Sequence, residues 1–172
     1  MRDYFLQSKR IGFSLWSKED MDLANVLWGD PDVTAYISSR GRLEAEEVKN
    51  RLQQEIEQYQ TDGVQYFPIF AIDNHAFIGC CGLRPYNLDE RVYEIGFHLV
   101  RSMWHKGYAS EAAKSMIDYA YTKVNASKLF AGHHPENQAS RKLLNKLGFR
   151  YTHDEFYPPT GLHHPSYILH KT

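Results

Sequence analysis

Cysteine is almost absent from this chain of 172 residues: there are two, Cys80 and Cys81, and they are neighbours. Adjacent cysteines cannot form an unstrained bridge, so no disulfide framework is expected, and a reducing cytoplasm is the expected setting. A charge excess of either sign is missing too. Lys and Arg number 20 against 21 Asp and Glu, a net charge of −1 with a pI near 6.7. That balance offers no electrostatic footprint for a nucleic-acid backbone, so no nucleic-acid partner is expected. No apolar run approaches the roughly 18–20 residues of a membrane span, and Met1-Arg2-Asp3-Tyr4 lacks a signal-peptide pattern. Repeats, low-complexity tracts and the Gly-rich phosphate loop ending in Lys-Ser/Thr are all lacking. What is present is ordinary globular composition, 42% hydrophobic and 24% charged, with aromatics on the high side at 14%. A length of this order builds one sizeable core rather than two, so a single domain over residues 1–172 is expected.

Helical and strand periods alternate along the chain. Ser17 and Asp20 resemble a helix start, and Met21, Ala24, Leu27 and Trp28 follow at helical spacing until Gly29-Asp30-Pro31 stops them. A short helix carries Val33, Tyr36 and Ile37. Residues 43–60 form the longest periodic stretch, with Val48, Leu52, Ile56 and Tyr59 on one face and acidic residues at its start. The period then switches to two. Strands are predicted over 66–73 and 76–83 around an Asn74-His75 turn, with a loop over 84–90 and a third strand over 92–100. A helix over 110–124, a strand over 128–133 and a helix over 137–147 closed by Gly148 come next. Strands over 149–157 and 166–170 flank Pro158-Pro159-Thr160-Gly161. The order reads as an α/β (α+β) domain with a mixed sheet.

The chemistry concentrates where the strand ending at Val100 runs through Trp104-His105-Lys106-Gly107 into a helix. Free N–H groups at a helix start make an anion site suited to a pyrophosphate, and Gly107 with the small Ala109 leaves room for close approach. Trp104-His105-Lys106-Gly107-Tyr108-Ala109, followed by Glu111-Ala112, resembles the acyl-CoA pyrophosphate loop of the GNAT N-acyltransferase superfamily. Asn137-Gln138-Ala139-Ser140, leading through a helix to Gly148-Phe149, resembles that superfamily's second motif. The Glu94-Ile95-Gly96-Phe97 strand and the Trp are similar to the ribosomal-protein alanine N-acetyltransferase (RimJ/RimL-type) branch. The resemblance covers nearly the whole chain. It implies a mostly antiparallel twisted sheet of about six to seven strands flanked by about four helices.

The resemblance further implies acetyl-CoA as cosubstrate and an amine acceptor. The pantetheine arm would pair with the backbone of His98, Leu99 and Val100 as an added strand does. The pyrophosphate would lie on the amides of His105, Lys106, Gly107, Tyr108, Ala109 and Ser110, and Asn137 would meet the pantetheine amides. Glu94, a solvated strand residue on pattern alone, becomes the expected general base, because this strand borders the substrate cleft in the family. Ser140 reads equally as a first-turn helix residue bonding its own backbone and as a catalytic hydroxyl near the cofactor sulfur. Two departures stand out: His105 where glycine is frequent, and Leu144 where many members carry the tyrosine that protonates the leaving thiolate.

Other conspicuous residues carry plainer readings. His133-His134 and His163-His164 alternate faces and lack cysteine partners, so no metal is expected, with His134 a secondary base candidate. Cys80 and Cys81 read as inert core thiols. The leading function is acetyl transfer to a primary amine, with the branch resemblance leaning towards a protein or peptide amino terminus. A small-molecule amine (polyamine, amino sugar or amino acid), a non-catalytic CoA-binding domain and a nucleotide-binding domain of another fold are the alternatives. Homodimers are frequent in the family.

Overall fold

The computed structural model describes residues 2–172. Eight strands form one sheet in the order β1-β2-β3-β4-β5-β6-β8-β7. They are β1 (Leu6–Gln7), β2 (Ile11–Phe13), β3 (Tyr66–Ala71), β4 (Phe77–Asn87), β5 (Val92–Leu99), β6 (Lys128–Gly132), β7 (Arg150–Tyr157) and β8 (Leu162–His170). Every neighbouring pair is antiparallel except β5 and β6. Five helices accompany them: α1 (Met21–Trp28), α2 (Pro31–Thr34), α3 (Ala45–Asp62), α4 (Tyr108–Thr122) and α5 (Gln138–Lys146). The sheet is thus mixed and mostly antiparallel as expected, with slightly more strands and helices than the expected numbers.

The differences have local causes. One strand is expected ahead of the first helix and the structure has two, since strands of two and three residues are too short to separate by an alternating pattern. The predicted loop at 84–90 shrinks, because β4 runs on to Asn87 and pairs with Val92 and Tyr93 across a bulge between Pro85 and Asn87. A bulge tolerates the proline, which lacks an N–H. β8 begins at Leu162 rather than Ser166, so only residues 158–161 turn the last hairpin.

The sheet separates two cores. On one side α4 presents Ala112, Ala113, Met116 and Ala120 to Cys81, Leu83, Ile95 and Leu99. On the other, α1 and α3 set Leu27, Trp28, Val48 and Leu52 against Tyr66 and Cys80. Adjacent strand residues point to opposite faces, so the two thiols fall into different cores. Both are free and buried, and burial lifts the Cys80 thiol to about 12.

The face of α3 is rotated from the expected one. Glu55 is 2% exposed and Tyr59 is 37% exposed. Buried Glu55 is a hub. Its Oε1 accepts from the Tyr66 N–H (2.8 Å), its Oε2 accepts from Arg51 Nε (2.7 Å), and its backbone oxygen accepts from Gln65 Nε2 (2.9 Å). A buried carboxylate persists only when bonded in this way.

Candidate active site

β5 and β6 pair over only three positions, ending at Glu94 and Phe130. Beyond that point β5 keeps β4 as its one neighbour and β6 keeps β8, so the sheet opens as a fork with Glu94 at the vertex. The Val100 N–H donates to the Ile78 oxygen (2.9 Å), on the β4 side. Alternation therefore turns the N–H groups of Leu99 and Phe97 into the fork. The Leu99 oxygen is occupied, accepting from Trp104 Nε1 (2.9 Å). Val100 has both backbone groups paired, its oxygen taking the Met103 N–H (2.9 Å). The His98 backbone faces β4, and its imidazole, not its main chain, lines the cleft.

The loop into α4 is tightly wound. His105 (φ 61°) and Gly107 (φ 80°) both stand in the left-handed region, so His105 adopts the conformation that a glycine would there. A Cβ at Gly107 would meet nothing closer than Arg10 Nη2 at 3.4 Å, which leaves the loop open on its outer side. The first N–H groups of α4 have no acceptor within their own helix. Together with the helix dipole they fit a pyrophosphate. The loop is braced from behind. Arg10 Nη1 donates to the Lys106 oxygen (3.0 Å), and its guanidinium lies 4.3 Å over the Tyr108 ring. Glu111 accepts from Ser8 Oγ (2.5 Å), Arg10 N–H (2.8 Å) and Arg10 Nε (2.7 Å). Partial burial works against the Glu111 charge, but these bonds outweigh it and hold the carboxyl below its usual range. Neither Val100 nor Lys106 lines the cleft, whereas the remaining predicted cofactor and catalytic residues do.

α5 forms the facing wall. Asn137 caps it, with Oδ1 accepting from the Ser140 N–H (3.1 Å), so only the side-chain amide of Asn137 is free to donate. The Ser140 hydroxyl has no hydrogen-bond partner among the described residues and lines the cleft. Leu144 is buried at the base and brings no proton donor.

The cleft measures about 740 Å³ and continues past Glu94 between α2, α3 and the β7–β8 hairpin. Burial raises the Glu94 pKa, a shift that Arg84 opposes and Glu155 reinforces. Glu94, Gly96 and His98 share one face of β5. A Cβ on Gly96 would lie 2.4 Å from the Tyr66 ring, so glycine is what lets Tyr66 lie across the strand. Trp28 Nε1 donates to His98 Nδ1 (3.1 Å). This fixes the proton of the neutral ring on Nε2. Burial pushes the His98 pKa well down, with Arg51 and Arg84 adding to it. Tyr86 stacks on Phe130 (4.0 Å between centroids) and donates to Glu155 (2.6 Å), closing the far wall.

His134 lines this end beside Tyr36, but its Nδ1 accepts the Glu136 N–H (3.1 Å). The tautomer that accepts there carries its hydrogen on Nε2 and leaves no lone pair for a substrate. Among the described residues no three or more His, Cys, Asp or Glu side chains converge as metal ligands, and no helix is long and apolar enough to cross a membrane. Arg10, Arg51, Tyr66 and Arg84 were not legible as site residues. The signal for Arg84 was its period-two spacing from Gly82, masked by the turn-forming residues after it.

The fold and this cleft define a class. The Acetyltransferase (GNAT) domain family matches residues 10–150, and the chain belongs to that family. It is similar to the uncharacterised N-acetyltransferase p20 of Bacillus licheniformis, 33% identical over 146 residues, covering 84% of this chain and 82% of that protein. A GNAT-family acetyltransferase structure from Bacillus anthracis superposes with a TM-score of 0.78 at 23% identity, covering 95% of both chains. RimL, a ribosomal L7/L12 α-N-protein acetyltransferase solved with coenzyme A, superposes with a TM-score of 0.79 at 14% identity over 95% of each. The protein is an enzyme of the N-acetyltransferase class.

Proposed function

We propose that the protein acetylates a primary amine from acetyl-CoA by direct attack in a ternary complex, with Glu94 as general base. The observation that carries this reading is the position of Glu94 at the fork vertex, where an open strand edge and an N–H-rich helix start converge. Acetyl-CoA supplies the acetyl group as an activated thioester. The amides of His105 and of Gly107 to Ser110 hold its pyrophosphate, and the unpaired edge of β5 around Leu99 and Phe97 receives its amide-rich arm. The amine arrives largely protonated near neutral pH. Glu94, made more basic by burial, removes that proton directly or through a water. The Leu99 N–H, turned into the fork, donates to the acyl oxygen as charge develops there. With Leu144 apolar, Ser140 is the hydroxyl on α5 that serves the departing sulfur.

A peptide amino terminus, towards which the branch resemblance leans, and a small amine reach Glu94 from the same end of the cleft. Calorimetry with acetyl-CoA, followed by thiol release against an amine panel, tests the reading. Micromolar binding with turnover is expected. Absence of binding defeats the cofactor assignment, and tight binding without turnover on any amine makes the protein a CoA-binding module instead.

A further inference from the structure

Two guanidinium groups at the acceptor end keep hydrogen-bonding capacity that its carboxylates leave unused. Two guanidinium groups, Arg51 from α3 and Arg84 from β4, line the cleft and share buried Glu55. Arg51 takes the better contact, 2.7 Å from Nε to Oε2, while Arg84 Nη2 stands at 3.7 Å, beyond hydrogen-bond range. The other Glu55 oxygen is committed to the Tyr66 backbone. Arg84 therefore makes no hydrogen bond among the described residues. Arg51 Nη2 is buried and has no partner among them either. Buried polar groups in folded proteins are almost always paired. Flat rings hold both groups in place: Trp28 and Tyr66 lie at 4.9 and 5.4 Å from the Arg51 guanidinium, and Tyr66 at 4.6 Å from that of Arg84. Fixed, planar and under-bonded guanidinium groups are built to receive a carboxylate.

The geometry also supplies the other half of the ligand. Arg84 and Glu94 are directly opposed partners on β4 and β5, so their side chains share one face, yet no ion pair forms between them. The Glu94 carboxyl and the Arg84 guanidinium are left side by side and unjoined. A polyamine would offer the two guanidinium groups no acceptor. A zwitterion satisfies both signs at once.

We propose that Arg51 and Arg84 form a carboxylate subsite and that the acceptor is a small amino-acid-type zwitterion. Its amine is presented to Glu94 and its carboxylate to the two guanidinium groups, with His98 Nε2–H as an added donor. This rests on the acetyl-transfer reading above, which it narrows to a substrate class.

The test is titration of the protein, with and without CoA, by a panel of N-acetylated amino acids and their C-terminal amides. Parallel thiol-release assays use the free amino acids and their amides. The acids are expected to bind at least about tenfold more tightly than the amides. Arg51→Gln and Arg84→Gln should each erase that preference through KM, the acids losing more affinity than the amides. If one variant fails to fold, the other reads the same quantity. Equal binding of acid and amide overturns the proposal. So does binding of neither while CoA binds, an equal loss for both in a folded arginine variant, or turnover confined to peptides or polyamines. Acid preference without CoA binding would instead defeat the transfer reading and leave the carboxylate subsite standing.

Discussion

Replacing Glu94 with Gln keeps the shape of the side chain and removes its only function as a base. A positioned general base contributes 10²–10⁴-fold. At 1.36 kcal/mol per tenfold, that is about 2.7–5.4 kcal/mol of transition-state stabilisation. Burial moves the Glu94 carboxyl upward, which makes it a stronger base than a solvated carboxylate. No neighbour can substitute. His134 Nδ1 already accepts the Glu136 N–H, and Glu155 is bound by Tyr86. The pH dependence has a definite sign. Activity needs the carboxylate, so kcat/KM falls as pH drops through a pKa lying above the ordinary value of 4.5. The Gln variant should lose that acid limb and recover partly at high pH, where the amine deprotonates unaided. Thiol release measured from about pH 5.5 to 9.5, with acetyl-CoA affinity from calorimetry as the control, reads all of this. Wild-type turnover by the Gln variant near neutral pH refutes the assignment, as does a loss traced entirely to cofactor binding.

Three further outcomes are expected. Gly107→Glu puts a side chain into the left-handed region, at about 1–2 kcal/mol, and a carboxylate where the pyrophosphate belongs; calorimetry should show acetyl-CoA binding lost while circular dichroism stays native. Gly96→Ala pushes on the Tyr66 ring from 2.4 Å, so about 1–3 kcal/mol of overpacking should lower Tm by several degrees and raise the acceptor KM, with acetyl-CoA affinity retained. Burial lowers the pKa values of His98, His133 and His164, the last to about 4. Their stabilisation is therefore complete above 6.5, the ordinary value, and for His164 is lost between 6.5 and about 4. Urea midpoints at pH 7 and pH 5 should differ accordingly, and identical midpoints would overturn this account.

Long elements with a steady period were legible in the sequence, because their burial follows from local geometry. α4 shows its alanine and methionine stripe, and β5 its alternation. Tertiary contact decided the rest. Pro85 and Asn87 carry turn signals, but β5 was there to pair with, so β4 continued through a bulge. Pro165 reads as a break, yet β8 passes through it between β6 and β7. The cofactor loop was readable for a related reason, since a strand end, a glycine and a helix start are consecutive in the chain. Arg51, Glu55, Tyr66 and Arg84 come from three separate elements. Each alone looks like a solvated charge or a core aromatic, and only the packing of α3 on the sheet gives the group meaning.

Strand β5 shows why one scaffold can hold its cofactor firmly and leave its acceptor adjustable. In a strand, the alternation of side chains is locked to the alternation of backbone groups. Ile95, Phe97 and Leu99 send their side chains to the α4 core, and Phe97 and Leu99 turn their N–H groups into the fork. Glu94, Gly96 and His98 do the reverse, giving their backbones to β4 and their side chains to the acceptor end. The main chain at the odd positions is independent of side-chain identity, so the donor edge survives any substitution that preserves the strand. The even positions are free to differ without touching that edge. A change at His98 should accordingly alter which acceptor is held while leaving the Leu99 N–H where it is, separating acceptor choice from cofactor binding within a single strand.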